Sequence, residues 1–227
     1  MSDKEKTMLD RLALEMTEFY SGDPLRVQHF MKVHAYSALI ARLEGLGGRE
    51  TFILETAAYT HDIGIKPAEK MYGSSNGKLQ EKLGPPVARD MLVKLGFDDE
   101  LIGRVCAMIA HHHTYTDIDS TELQILIEAD FIVNLFEDNS DAGTIATAIH
   151  KIFRTDQSCR IGCDLLFFFN IQLNFLGYGR LIGIDRMFQC HRTAKNPGQL
   201  PRLVKRRDVS ADRRFRCIQD IFQFCYR

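Results

Sequence analysis

No stretch of the sequence is long and apolar enough to cross a bilayer. The longest candidate, Leu165 to Leu176, is interrupted by Asn170, Gln172 and Asn174 and falls short of the roughly 20 residues a span requires. No secretory leader is expected either, because Met1-Ser2-Asp3-Lys4-Glu5-Lys6 is charged and has no apolar run behind it. The expectation is a soluble, cytoplasmic protein. Proline is scarce, at 6 residues in 227, and glycine is ordinary at 16, which excludes a collagen-like chain. With 45% hydrophobic and 26% charged residues the chain is neither wholly disordered nor a disulfide miniprotein, and it is long enough to bury a substantial core. Zinc-ribbon cysteine spacing is missing, and Cys159-x-x-x-Cys163 has no partner ligands. In a reducing compartment these cysteines stay thiols. Internal repeats and low-complexity segments are absent.

The balanced charge conceals a split. Residues 1–156 carry 16 Lys and Arg against 25 Asp and Glu, whereas residues 157–227 carry 13 against 5. Five of the six cysteines lie in the second segment, and no Glu follows Glu137. Such a shift marks a boundary, so the chain divides into residues 1–156 and a basic, cysteine-containing segment, 157–227.

The first segment reads as successive helices, with apolar residues recurring at three and four positions rather than two. They are expected over Asp10 to Phe19, over Asp23 to about Glu44 with Asp23-Pro24 as the start signal, and over about Glu50 to His61. A Gly/Ser-rich loop, Gly73 to Gly77, follows. Pro85-Pro86 opens a further helix to Leu95, succeeded by helices over Asp98 to about His112, Thr121 to Phe136 and Asp141 to Phe153. Beyond Thr155 the periodicity fades, apart from a strand-like alternation of Ile171, Leu173 and Phe175.

Four places carry chemistry. Asp130 lies in Ile125-Leu126-Ile127-Glu128-Ala129-Asp130-Phe131-Ile132-Val133, and a carboxylate on so apolar a helix is expected inside. It then needs a salt bridge, strong hydrogen bonds or a cation. Glu128, about 200° round the helix, is expected to face elsewhere. Ile102, Val105, Ile109 and His112 form one stripe, which turns His111 and His113 away by about 100° each. His112 is therefore either a hydrogen-bonded core histidine or a ligand. His61-Asp62 ends an apolar helix. His29 continues the face of Val33, Ser37, Ile40 and Ala41, with His34 at its edge. Divalent metals accept imidazole nitrogen and carboxylate oxygen together, and such residues on separate helices can converge within a bundle.

His29, then His61-Asp62-Ile63-Gly64, then Asp130, with helices between, resemble the H…HD…D signature of the HD-domain superfamily over about residues 20–137. The resemblance implies an all-α HD-domain helical bundle and a metal-dependent phosphohydrolase. Carried over by position, His29, His61, Asp62 and Asp130 bind one divalent ion. His112, with His111 and His113 as alternatives, resembles histidines that bind a second ion or a substrate phosphate. Lys66 resembles a basic residue past the HD pair that contacts phosphate, or it is a solvated surface lysine. One or two ions per chain are implied, with Mn²⁺, Fe, Zn²⁺, Ni²⁺, Co²⁺ and Mg²⁺ all compatible with the donor set. Asp62 would bridge metal and nucleophile in a metal-assisted hydrolysis, and Asp62, Lys66 and His112 are the catalytic candidates. The loop Gly73 to Gly77 with Lys78 can offer phosphate donors, but it is not a Walker A loop, because Leu79 stands where Ser or Thr would hold Mg²⁺.

The expected partner is a small phosphorylated substrate, phosphomonoester or phosphodiester, with a nucleotide among the candidates. Two alternatives keep the same fold: a di-iron oxygenase, and a non-catalytic module that senses a nucleotide. Arg202, Lys205, Arg206, Arg207, Arg213, Arg214 and Arg216 are the only nucleic-acid footprint. Without an interleaved aromatic stacking platform they read as a solvated run, and the abrupt loss of Glu with gain of Cys and Arg resembles a chain read out of frame.

Overall fold

A computed structural model describes residues 1–164 of the chain. Among these residues there is no strand, and eight helices follow one another: α1 (Asp3–Phe19), α2 (Pro24–Glu44), α3 (Gly48–Thr60), α4 (Ile65–Tyr72), α5 (Gly77–Leu95), α6 (Asp99–Ile109), α7 (Thr121–Glu137) and α8 (Ala142–Lys151). Residues 156–164 are helical again. The all-α expectation holds. No helix among the described residues is long and apolar enough to cross a membrane. The alternating segment from Ile171 to Phe175, the basic run and the apolar stretch from Leu165 all lie outside the described residues.

The centre of the domain is α3, which packs against α1, α2, α6 and α7. Apolar residues occur on every side of it, interspersed with Glu55 and three threonines, and every residue from Thr51 to Thr60 is buried. Phe52, Leu54, Ala57 and Ala58 supply the hydrophobic contribution, about 1.5–3 kcal/mol for each large side chain removed from water. The hydroxyls among them are satisfied locally. Thr56 Oγ1 donates to Phe52 O at 2.7 Å and Thr60 Oγ1 to Thr56 O at 2.9 Å. A buried helix thus delivers its C-terminal end, with His61 and Asp62, to the domain interior.

Several helix limits differ from those read in the sequence. Helix α1 starts at Asp3, seven residues before the expected Asp10. A capping box starts it there: Ser2 Oγ accepts from Glu5 N while the Glu5 carboxylate accepts from Ser2 N at 2.6 Å. Helix α4 has no counterpart in the sequence reading, being only eight residues long, with Pro67 in its first turn where no intrahelical N–H is needed. The Pro85-Pro86 pair does not open a helix. Asn76 caps α5 by accepting from Leu79 N at 3.1 Å, and the helix continues through both prolines. An interior proline costs about 3 kcal/mol, offset here by burial of Ala88, Met91 and Leu92. Helix α6 ends at Ile109, so the three histidines lie in a turn beyond it.

Gly64 decides how closely α5 approaches the turn after His61-Asp62. A Cβ there would lie 2.6 Å from Gln80 O and 2.9 Å from Gly84 N, both main-chain atoms. Only glycine permits that contact.

Candidate metal centre

Four side chains converge on one point. His29 comes from the middle of α2, His61 from the C-cap of α3, Asp62 from the residue after it, and Asp130 from α7. His61 is fully buried, Asp130 is 6% exposed and His29 9% exposed. His29 Nε2 lies 3.3 Å from His61 Nε2, 3.4 Å from Asp62 Oδ2 and 3.2 Å from Asp130 Oδ1. His61 Nε2 lies 3.5 Å from the same oxygen of each aspartate. Donors about 2.1 Å from a shared ion stand about 3.0 Å apart at right angles and about 3.4 Å apart in a tetrahedron. The observed spacing therefore suits one divalent ion.

The backs of the imidazoles support that fit. His61 Nδ1 donates to Ala58 O at 2.9 Å and His29 Nδ1 to the Glu137 carboxylate at 2.9 Å. Those oxygens only accept, so both Nδ1 atoms carry the proton and both Nε2 lone pairs point inward. Two lone pairs 3.3 Å apart need a cation or a proton between them. Burial opposes charge on His61, but the Asp62 charge and the hydrogen bond and charge of Asp130 outweigh it and raise its pKa to about 9. His29 is raised for similar reasons, against burial and the His61 charge. Burial pushes Asp62 upward, yet His61 and His112 bring it down to about 2. Asp130 is held far below the usual carboxylate range by His29 and His61, again against burial. Its other partner is Asn134 Nδ2, at 2.9 Å.

His112 extends the site. The structure buries it (2% exposed), exposes His111 and leaves His113 half-buried. His112 Nδ1 donates to Ile109 O at 2.7 Å, and its Nε2 is buried without a hydrogen-bond partner, 3.6 Å from Asp62 Oδ1. His29, His61 and Asp130 form one group with metal-ligand spacing, and Asp62, His112 and His113 form a second. Burial and the His112 charge lower the His113 pKa to about 4. His113 is also engaged elsewhere. Its Nε2 donates to Gln80 Oε1 at 3.1 Å, and Gly77 lies against its ring so closely that a Cβ would approach to 2.7 Å.

Other residues take separate positions. His34 is not in the cluster: its Nε2 bonds Glu55 at 2.9 Å and its ring stacks on Tyr59. Lys66 donates Nζ to Phe19 O and lies over the Phe19 ring. Lys78 donates to Glu81 at 2.8 Å and to Thr114 Oγ1 at 3.0 Å. Glu128 corrects an expectation. It does turn away from Asp130, but it is fully buried, because α7 is covered on both sides.

Three contributors carried no sequence signal: Tyr20, whose hydroxyl donates to Asp62 O at 2.8 Å; Glu81, which accepts from His113 N at 3.1 Å and Thr114 Oγ1 at 2.8 Å; and Glu137 behind His29. Their contacts span 32 to 108 residues of chain.

An all-α domain with two imidazoles and two carboxylates gathered at its centre defines a class of helical metal-binding proteins. The model of the HD domain family matches residues 26–135, a span that contains all four residues. Residues 26–135 thus match the HD domain, and HD domains bind divalent metal ions. It is also similar to the crystal structure of a predicted HD superfamily hydrolase from an uncultured Thermotogales bacterium. The two are 26% identical with a TM-score of 0.52, over 75% of this chain and 90% of that one. No curated protein matches the chain.

Proposed function

We propose that this HD domain hydrolyses a phosphate ester of a small molecule, a nucleotide among the candidates, with one divalent ion held by His29, His61, Asp62 and Asp130 and with His112 for a second ion or the substrate phosphate. One observation carries the reading: the inward lone pairs of His29 and His61 face Asp62 Oδ2 and Asp130 Oδ1 at 3.2–3.5 Å. A divalent ion at such a site supplies Lewis-acid polarisation of a phosphoryl oxygen and a water nucleophile near neutral pH. Asp62 turns its other oxygen toward His112, whose Nε2 would be available to a second ion or a phosphoryl oxygen. Lys66 commits one of its three N–H donors to Phe19 O, and Lys78 two of its three to Glu81 and Thr114. His112 Nε2, already without a partner, is the group nearest to hand.

The test is elemental analysis of the full-length protein beside Asp62→Ala, followed by turnover of aryl phosphomonoesters, aryl phosphodiesters and nucleotides. Expected are one or two equivalents of metal in the parent, loss of metal in the variant, and metal-dependent phosphate release. A parent that takes up no metal after incubation with Mn²⁺ overturns the catalytic reading. Bound iron with oxygen-dependent turnover would replace the hydrolase by an oxygenase. Full metal occupancy with nucleotide binding and no turnover would replace it by a sensing module.

A further inference from the structure

The three inward histidines are backed differently. His61 and His112 donate Nδ1 to the carbonyl three residues earlier, a contact that local backbone supplies. His29 lies mid-helix and has no such carbonyl free, since the helix ladder uses those around it. Its Nδ1 instead finds the Glu137 carboxylate, 108 residues away.

Glu137 is the last residue of α7, seven positions after Asp130, so the two side chains stand about 20° apart around the helix. Asn134, between them on the same stripe, donates to Asp130 Oδ1. One face of α7 therefore carries a candidate ligand, an amide that holds it and a carboxylate that reaches across to α2. On α2, Lys32 follows His29 by three residues and donates to Glu137 Oε1 at 2.5 Å, which leaves Oε2 for His29.

We propose that Glu137 is a positioning residue for the metal centre: by accepting from His29 Nδ1 it fixes that ring's tautomer and orientation, and so sets how tightly the cluster holds a divalent ion. The inference rests on the reading that His29, His61, Asp62 and Asp130 bind such an ion. A carboxylate behind a ligating imidazole makes the imidazole a stronger donor, and losing such a partner typically weakens metal binding about 10–100-fold. A simpler role, tying α2 to α7 through Lys32, makes a different forecast.

Three full-length variants separate the two: Glu137→Gln, Glu137→Ala and Lys32→Met. The readouts are the Mn²⁺ dissociation constant by chelator competition, the thermal midpoint of the metal-free protein, and the ¹⁵N shifts of the His29 ring. Both Glu137 variants should bind Mn²⁺ about 10–100-fold more weakly. In Glu137→Ala the metal-free His29 ring should also lose its preference for the Nδ1–H tautomer. Lys32→Met, which keeps the His29–Glu137 contact, should leave Mn²⁺ affinity nearly as in the parent. Parental Mn²⁺ affinity in Glu137→Ala overturns the proposal, as does an equal loss in Lys32→Met. A parent that takes up no Mn²⁺ overturns the underlying metal reading. An unchanged His29 tautomer in metal-free Glu137→Ala overturns the positioning role by itself, independently of any ion.

Discussion

The Tyr20 hydroxyl donates to the main-chain carbonyl of Asp62 at 2.8 Å across 42 residues of sequence. It thereby holds the turn from which Asp62 projects. Tyr20 is the C-cap of α1 and is 4% exposed; burial and the Asp62 charge both raise its pKa, so the hydroxyl remains a donor throughout the working range. Tyr20→Phe removes that donor and leaves the carbonyl without it. The expected cost is about 1–2 kcal/mol in urea unfolding at pH 7, with metal stoichiometry unchanged. A variant as stable as the parent would show that the carbonyl finds another partner.

Two glycines should respond to alanine in opposite directions. At Gly64 the new Cβ meets main-chain atoms of α5 at 2.6 and 2.9 Å, which cannot rotate aside. Gly64→Ala should cost about 1–3 kcal/mol as the turn is forced away from α5. Gly103 lies inside α6 with nothing within 4 Å of a Cβ. Gly103→Ala should therefore gain about 0.5–1 kcal/mol from helix propensity and reduced unfolded-state entropy. Thermal midpoints of the two variants measure both effects.

How far the sequence reaches is visible residue by residue. His29 and Asp130 each lie on a helix whose apolar periodicity points them inward, and His61-Asp62 ends an apolar helix, so the three places are legible in order. The HD domain match over residues 26–135 agrees with the family resemblance. Glu128 shows where that logic stops. Turning 200° from Asp130 means leaving one neighbour for another, because α7 is apolar on both faces and buried on both. The start of α5 was obscured by prolines that usually begin helices, while Asn76 held the true cap. Tyr20 and Glu137 act only through contacts that the fold creates, and no local spacing announces them.

Acid should weaken the link between α6 and the start of α7. Arg104 pairs with Asp119 through both Nη atoms, at 2.8 and 2.9 Å, and with Glu122 at 3.0 Å. The Arg104 hydrogen bonds, against a small burial effect, bring Asp119 down to about 2 from the ordinary 3.8. A carboxyl depressed on folding contributes stability above its unfolded pKa and loses it as pH falls through the folded one. The Asp119 contribution should therefore be complete above about pH 4 and fade between about pH 4 and 2. The Asp119 side chain is 60% exposed, so solvent screening limits the effect to about 0.2–1 kcal/mol. The difference in urea midpoint between the parent and Asp119→Asn should shrink across that window; a constant difference would mean that the Asp119 charge contributes nothing.

Glu128 should be the costliest single residue to lose outside the metal centre. It is fully buried, and its carboxylate accepts from Gln124 Nε2 at 2.7 Å, Thr155 N at 3.1 Å, Thr155 Oγ1 at 2.5 Å and Arg154 N. These contacts fasten the chain beyond α8 onto the back of the helix that carries Asp130. Glu128→Ala strands several buried donors at once, each costing about 1–3 kcal/mol where water cannot reach. Glu128→Gln keeps one accepting oxygen but sets an amide N–H₂ against donors, so it rescues only part. Urea unfolding should rank the parent above Glu128→Gln and Glu128→Ala last, separated from the parent by about 3 kcal/mol or more. Amide exchange at residues 154 and 155 should accelerate in the same order. Fast exchange there in the parent itself would mean that the clasp is open in solution, and the stability ranking would then collapse.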